Sequence, residues 1–170
     1  MVKKIQVLFV DDGLANGHGV EPLFCDETYG ILVTSNPDDA RETLKKENIK
    51  VIVCAQQLPT INGVEFLREV KETFPGTVRI LLAGESYLPI DAKAVTESIF
   101  EGLIQKPLKT EEFLSSIRQA VRVYDLIVEN KRLQNEVKKL NIQYDEQKNI
   151  TNIVSHELRT PLASIKAAID

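Results

Sequence analysis

Several features that mark other protein classes are scarce or missing in this chain of 170 residues. Its two cysteines, Cys25 and Cys54, do not make a disulfide framework, and Cys54 lies in an apolar run typical of a buried thiol. No apolar run approaches the roughly 20 residues that span a bilayer, and Ile5–Val10 is too short for a signal peptide. A net charge of −4 argues against nucleic acid as the main partner, since phosphate binding needs a basic face. We therefore expect a cytoplasmic protein with no nucleic-acid partner and no membrane span.

Short apolar runs alternate with amphipathic stretches over the first part of the chain. The apolar runs are β-branched and nearly continuous, which is typical of parallel strands buried on both faces. Asn36 followed by Pro37 and two aspartates indicates a helix start, with a capping side chain, a proline in the first turn and acids favoured by the helix dipole. The predicted strands are Ile5–Val10, Gly30–Thr34, Val51–Cys54, Val78–Ala83 and Leu103–Gln105. This alternation predicts an α/β fold around a parallel sheet.

The residues directly after each strand are the candidate site residues, because ligands bind at the carboxyl ends of the strands in such folds. Asp11 and Asp12 follow the first strand, and Ala55 follows the third. Ala83 ends the fourth strand, and Lys106 follows the fifth.

This arrangement resembles the receiver domain of two-component response regulators over about residues 3–125. The segment Leu58–Leu67 matches that family's loop and helix after the third strand, and Lys106-Pro107 matches its lysine–proline pair, in which the peptide bond is usually cis. The acidic pair, the proline–glycine loop and the lysine–proline pair are specific in combination. The resemblance implies a flavodoxin-like, doubly wound sheet of five parallel strands over residues 1–125.

Other positions depart from the receiver pattern. By resemblance, the aspartate that accepts the phosphoryl group maps to Ala55, the hydroxyl residue that closes on that group maps to Ala83, and the aromatic switch residue maps to Leu103. A methyl group has no lone pair, so no acyl-phosphate can form at Ala55. Ala83 favours natural degeneration over the alternative that an aspartate at position 55 was replaced by engineering. The resemblance therefore implies a pseudo-receiver that acts as a sensory or docking module.

The alanine at position 55 is also expected to weaken magnesium binding. The family site combines a carboxylate of the acidic pair, the acceptor carboxylate and a backbone carbonyl. Losing one of two anionic ligands leaves a poor site for a cation that dehydrates reluctantly. We expect no metal site, with weak residual magnesium binding at Asp11 and Asp12 as the alternative. Lys106 would then neutralise the two aspartates.

Glycine is dense where a receiver normally continues into its first helix, with Gly13, Gly17 and Gly19 around Asn16 and His18. Each glycine costs a helix roughly 1 kcal/mol relative to alanine. We predict that the first helix is late, short or replaced by a loop. His18 is either solvated there or lines a small-molecule or partner site.

A long helix is predicted next, because residues 111–160 contain neither glycine nor proline. As one helix they would extend about 75 Å. A first apolar stripe would face the receiver's own sheet or a partner receiver: Leu114, Ile117, Val121, Tyr124 and Val128. A second stripe on nearly the opposite face has heptad spacing: Val123, Leu126, Asn130, Leu133, Val137, Leu140 and Tyr144. Valine at a, leucine at d and a single asparagine at a favour a parallel two-stranded coiled coil. We expect a homodimer, with intramolecular packing of the helix as the alternative.

Residues 155–162 read Ser-His-Glu-Leu-Arg-Thr-Pro-Leu, which resembles the phospho-acceptor box of sensor histidine kinases. The resemblance implies that ATP phosphorylates His156, that Glu157 is its base and tautomer partner, and that Thr160 has a role in the reverse, phosphatase reaction. His156 lies roughly 200° around the helix from the apolar residues two positions away on either side, so it should point to solvent. The alternative is a surface histidine on an ordinary helix.

These resemblances together imply the N-terminal part of a cytoplasmic sensor histidine kinase. Its predicted parts are a receiver-like domain at 1–125, a signalling helix and coiled coil at 111–150, and a truncated phosphotransfer domain from 151–170. No glycine-rich nucleotide loop is present, so we expect this chain alone to carry no cofactor and to be inactive. ATP and magnesium would belong to a catalytic domain elsewhere in the protein, and a response regulator would act downstream. One alternative is a non-enzymatic dimeric adaptor that binds a partner protein or ligand. Another is a functioning phosphorelay receiver, which would need a phospho-acceptor other than residue 55.

Overall fold

The computed structural model describes residues 4–15, 20–25, 27–84 and 92–169. The chain divides into two compact units, Met1–Ile127 and Val128–Asp170. Within the described residues, no helix is both long enough and apolar enough to cross a membrane.

The first unit is built on one sheet of five parallel strands in the order β2-β1-β3-β4-β5. The strands are β1 (Ile5–Val10), β2 (Gly30–Thr34), β3 (Val51–Ala55), β4 (Val78–Ala83) and β5 (Gly102–Gln105). Every residue of β3 and β4 is buried, as expected of parallel strands that are covered on both faces. The predicted flavodoxin-like, doubly wound sheet is confirmed.

The helices are α1 (Asp12–Ala15), α2 (Pro37–Lys46), α3 (Gly63–Thr73), α4 (Ala92–Thr96) and α5 (Thr110–Ile169), with a 3₁₀ helix at Glu21–Phe24. Two of the helices, α2 and α3, begin at asparagine caps. The Asn36 side chain accepts a hydrogen bond from the Asp38 amide at 2.9 Å, and Asn62 accepts one from the Val64 amide at 2.8 Å. Helix α1 has a single turn, which agrees with the predicted short first helix; His18 lies outside the described residues.

Two hydrophobic cores lie on opposite faces of the sheet. One contains the side chains of α2, α3 and α4 that pack on β1, β3 and β4, among them Phe66 and Leu67. The other contains the 3₁₀ helix and the start of α5, where the rings of Phe24 and Phe113 lie 5.9 and 5.7 Å from that of Phe9. The sheet is therefore sandwiched between helices, and α5 belongs to the core at its start.

The first apolar stripe of α5 faces the sheet as predicted over most of its length. Leu114, Ile117 and Val121 are buried and Tyr124 packs against the same core. Val128, by contrast, is 46% exposed, because the core ends with the last turn of α5 in the first unit.

Polar contacts reinforce this end of the core. Lys50 Nζ lies 2.7 Å from Asp125 Oδ1 and 5.9 Å from the centre of the Tyr124 ring. The Tyr124 hydroxyl contacts Asn48 Oδ1 at 3.2 Å. Both partners on α5 are thus bound to the segment that precedes β3.

The second unit consists of α5 from Val128 onward. Helix α5 as a whole extends from Thr110 to Ile169, so the predicted long helix is confirmed. Its large apolar side chains are exposed throughout the part that is described, with Leu133 47% and Tyr144 66% exposed.

Candidate functional site

A cleft of about 870 Å³ opens at the carboxyl ends of the strands, where the sequence places the candidate residues. Asp12, Ala55 and Lys106 line it, together with Gln57, Pro59 and Pro107. Ala83 is fully buried at the end of β4, while its neighbours Leu82 and Gly84 line the cleft. Parallel strands bring all these positions to one edge of the sheet, as predicted.

An ion pair closes the base of the cleft. Asp11 is 1% exposed, and its Oδ2 lies 2.6 Å from Lys106 Nζ. The Asp11 amide also donates to the carbonyl of Thr34 at 3.0 Å, which holds the residue at the end of β1. Asp12 is exposed at the rim. A buried carboxylate needs such a partner because its desolvation is costly.

Ala55 ends β3 and is 6% exposed. Its methyl group offers neither a nucleophile nor a ligand, and Lys106 already binds Asp11. A magnesium ion prefers several oxygen ligands in near-octahedral geometry. In the described residues, no three His, Cys, Asp or Glu side chains are grouped so that they could hold a metal ion. The residues present at the cleft do not fit magnesium.

Gly63 is essential to the geometry beside Ala55, and sequence reasoning alone did not single it out. A Cβ built on Gly63 would lie 1.8 Å from the Ala55 carbonyl oxygen, so only glycine allows α3 to begin this close to the end of β3. The Gly63 amide donates to the carbonyl of Gln56 at 2.9 Å. The proline–glycine loop in the sequence is the signal for this close approach.

Cys54 behaves as the inert core residue that the sequence predicts. It is fully buried, and its Sγ lies 3.4 Å from the Ala55 carbonyl oxygen. Burial, reinforced by the nearby Asp11 carboxylate, raises the pKa of the Cys54 thiol. A thiol held in its neutral form is a poor nucleophile.

The cis peptide bond between Lys106 and Pro107 is the feature that the receiver resemblance implied for this loop. Comparison with known protein families matches residues 7–118 to the response regulator receiver domain. The chain belongs to this family. The receiver's cleft therefore occupies the place where other receivers take a phosphoryl group, and here Ala55 stands where the resemblance puts the acceptor.

Relatives and solved structures agree with this assignment. The receiver is 33% identical over 136 residues to the hydrogenase transcriptional regulatory protein HoxA of Cupriavidus necator, and 29% identical over 131 residues to the C4-dicarboxylate transport transcriptional regulatory protein DctD of Pseudomonas aeruginosa. These alignments cover 80% and 75% of this chain but only 28% of either relative. Among solved structures, the signal receiver domain of an HD domain-containing protein from Pseudomonas fluorescens Pf-5 shares the fold, with a TM-score of 0.62, 22% identity, and coverage of 76% of this chain and 95% of that one. The two relatives are regulatory proteins and do not support the kinase resemblance of residues 155–162.

The other predicted residues lie on α5. His156 and Glu157 are exposed there, and the side chain of Thr160 lies outside the described residues. Asn130 is exposed, as are the apolar members of the second stripe: Val123 37%, Leu126 68%, Leu133 47%, Val137 54%, Leu140 58% and Tyr144 66%. The structure thus brings Asp11, Asp12, Ala55, Ala83 and Lys106 to one edge of the sheet, whereas the phospho-acceptor and seam candidates lie on α5.

Proposed function

We propose that this receiver is the phosphorylation-independent regulatory and dimerisation part of a cytoplasmic two-component sensor histidine kinase in which His156 accepts the phosphoryl group. The observation that carries the proposal is the string Ser155–Leu162 on α5, of which Ser155 to Arg159 are exposed. A response regulator would receive the phosphoryl group from His156. The 170 residues cover one part of such a kinase, and ATP and magnesium would bind to its catalytic domain.

The cleft supports a regulatory role without phosphorylation. Ala55 cannot form an acyl-phosphate, and Lys106 is bound to Asp11 rather than free to contact an incoming phosphoryl group. Leu103, at the position of the aromatic switch residue, is 46% exposed on β5. Signals would therefore reach the receiver through its surface, from a partner protein or ligand.

The exposed second stripe supports a parallel homodimer. Apolar side chains at a and d gain free energy when a second helix removes them from water. Glu129 and Glu136 occupy g positions, so an antiparallel pair of helices would bring glutamates of the two chains together. In the parallel arrangement, Asn130 meets its own copy and its amide groups can hydrogen-bond across the seam.

The position of His156 supports its role as acceptor. It lies between Val154 and Leu158 but on the other side of the helix, and it is exposed to an approaching nucleotide. In the proposed step, the bond between the γ-phosphorus of ATP and its bridging oxygen breaks, a P–N bond to the imidazole forms, and ADP leaves. Glu157 takes the imidazole proton and favours the neutral, nucleophilic tautomer.

A non-enzymatic adaptor is the second candidate, and the comparisons favour it in one respect. HoxA and DctD are transcriptional regulatory proteins, not kinases. In this alternative the pseudo-receiver binds a partner protein or ligand, and α5 serves only for dimerisation.

Phosphorylation of a fusion protein tests the proposal. The chain is joined to the second hairpin helix and the ATP-binding domain of a related kinase and incubated with labelled ATP. We expect label that is labile in acid and stable in alkali, and that disappears in His156→Gln. His18→Gln is the matched control, since the chain has only two histidines, and it should keep the label. A folded, ATP-binding fusion without label would favour the adaptor.

A further inference from the structure

A small pocket lies at the amino-terminal edge of the sheet, opposite the receiver cleft, and neither the receiver fold nor the proposed kinase role accounts for it. It has a volume of about 190 Å³. Ile49 and Thr77, which precede β3 and β4, line it together with Tyr124 of α5, and we call it the Tyr124 pocket. All of its lining residues belong to the first unit.

The walls of the Tyr124 pocket are apolar and have the dimensions of a single ring. Leu44 and Ile49 are 5% and 3% exposed, and the rings of Phe74 and Tyr124 are partly buried beside them. A cavity of about 150 Å³ with aliphatic and aromatic walls is large enough to bind benzene. A volume of about 190 Å³ therefore holds one ring with a short substituent. A ligand ring would also gain from edge-to-face or offset packing on Phe74 and Tyr124.

Contacts within the chain hold these walls in place. The Tyr124 hydroxyl donates to Asn48 Oδ1 at 3.2 Å, and Lys50 Nζ lies 5.9 Å from the centre of the Tyr124 ring. The Thr77 hydroxyl donates to the Ile49 carbonyl at 3.0 Å. A pocket with ordered walls costs a ligand little rearrangement, so more of the contact free energy appears as affinity.

The polar groups of the Tyr124 pocket offer mostly hydrogen-bond acceptors. The hydroxyls of Thr77 and Tyr124 each donate to an oxygen of the chain, so only their lone pairs remain for a ligand. The Glu47 carboxylate lines the same pocket and is an acceptor as well. The backbone amides of Ile49 and Thr77 already donate to carbonyls of the chain. A ligand that satisfies these groups must therefore supply donors.

The charge at the pocket favours a donor that is also a cation. Glu47 contributes its carboxylate, and the lysines nearest to it on either side in the sequence that form ion pairs have partners of their own: Lys46 is bound to Glu42 and Lys50 to Asp125. An ammonium group would be attracted to the Glu47 carboxylate, whereas an anionic ligand would be repelled by it.

We infer that the Tyr124 pocket is a binding site for a small aromatic amine, whose ring packs on Phe74 and Tyr124 and whose ammonium group donates to Glu47. The site would give the receiver a small-molecule input that requires neither the cleft at Ala55 nor a phospho-acceptor. The inference goes beyond the proposed function and does not depend on it, since binding requires only residues of the first unit.

Fluorine NMR of the full chain tests the inference. The chain has four tyrosines, so fluorotyrosine labelling gives a small set of signals, and the Tyr124 signal is the one that Tyr124→Phe lacks. We expect benzylamine to shift this signal with a dissociation constant of about 1 mM. The signal of Tyr144, which is exposed farther along α5, should stay unchanged. Benzoate has the same ring and the opposite charge, and it should bind at least about tenfold more weakly.

Two glycines provide matched variants for locating the ligand. Gly76 lines the Tyr124 pocket and Gly84 lines the receiver cleft, and a Cβ built on either of them meets nothing within 4 Å. Gly76→Leu places a side chain at the pocket and should weaken benzylamine binding at least about tenfold. Gly84→Leu places the same side chain at the cleft and should leave that binding unchanged. Circular dichroism confirms that both variants fold.

A third variant tests the charge separately from the shape. Glu47→Gln keeps the size of a side chain that is only partly buried, so it leaves the apolar walls intact. It should weaken the binding of benzylamine and strengthen that of benzoate, which brings the two dissociation constants closer together. This comparison remains decisive even if Gly76→Leu does not fold.

Three results would overturn the inference. Loss of benzylamine binding in Gly84→Leu but not in Gly76→Leu would place the ligand in the receiver cleft instead. A Tyr124 signal that benzylamine does not move would mean that the pocket does not bind it. Equal affinities for benzylamine and benzoate in the original chain would contradict the assigned chemistry. None of these results bears on the proposed kinase function, which the labelling of His156 in the fusion protein tests separately.

Discussion

Lys106 and Asp11 neutralise each other at the base of the receiver cleft, with Nζ and Oδ2 separated by 2.6 Å. The carboxylate is 1% exposed, whereas the lysine side chain keeps 31% of its surface in contact with solvent. The pair is therefore asymmetric: the lysine can be rehydrated when the pair breaks, but the aspartate cannot. Residues that the family resemblance associates with phosphorylation here hold the ends of β1 and β5 together.

The first prediction concerns this pair. Lys106→Met should lower the free energy of unfolding by about 3 kcal/mol, because it removes the cation that neutralises the buried Asp11 carboxylate. Urea denaturation followed by circular dichroism measures the loss. The double variant Asp11→Asn, Lys106→Met is the control and should recover a large part of it. A double variant as unstable as Lys106→Met would show that the pair itself does not cause the effect.

Restoring the missing carboxylate is the second prediction. Ala55→Asp would place a carboxylate at the end of β3, beside Asp11 and Lys106, and supply a third acidic side chain for a magnesium ion. We expect that acetyl phosphate with magnesium adds one phosphoryl group to Ala55→Asp and none to the original chain, as measured by intact-protein mass spectrometry. Ala55→Asn has a similar shape but no nucleophilic carboxylate, so it should stay unmodified. Modification of the original chain would mean that another residue accepts the phosphoryl group.

The third prediction concerns the glycine that lies against Ala55. Gly63→Ala should destabilise the receiver by more than about 3 kcal/mol or prevent folding, because the new Cβ would lie 1.8 Å from a backbone oxygen. Gly76→Ala is the matched control, since nothing lies within 4 Å of a Cβ there. It should change stability by less than about 1 kcal/mol. Thermal unfolding of the two variants gives the comparison, and equal melting temperatures would contradict the prediction.

Most of the fold could be predicted from the sequence because its signals are local. A few consecutive residues are enough to predict strands β1 and β4 from their apolar runs, and the start of α2 from the cap at Asn36. The observed elements agree with these predictions. The long helix α5 could also be predicted, since no glycine or proline interrupts residues 111–160.

What could not be predicted depends on contacts between distant segments. The sequence predicts that Lys106 neutralises Asp11 and Asp12, but not that Lys106 contacts the buried Asp11 while Asp12 stays exposed. That difference and the fit of Gly63 against Ala55 depend on how the carboxyl ends of several strands lie in space.

The fourth prediction concerns Asn130, the polar residue within the seam. Asn130→Val should tighten the dimer about tenfold and admit higher oligomers, because burying valine at an a position is more favourable than burying an amide, while the asparagine pair restricts register and strand number. Asn135→Val is the matched control, since Asn135 lies outside the seam on the same exposed helix and should leave the dissociation constant unchanged. Sedimentation equilibrium over a range of chain concentrations measures both effects. If the two valine variants behaved alike, Asn130 would not face a partner helix, and the seam would have to lie on another face of α5.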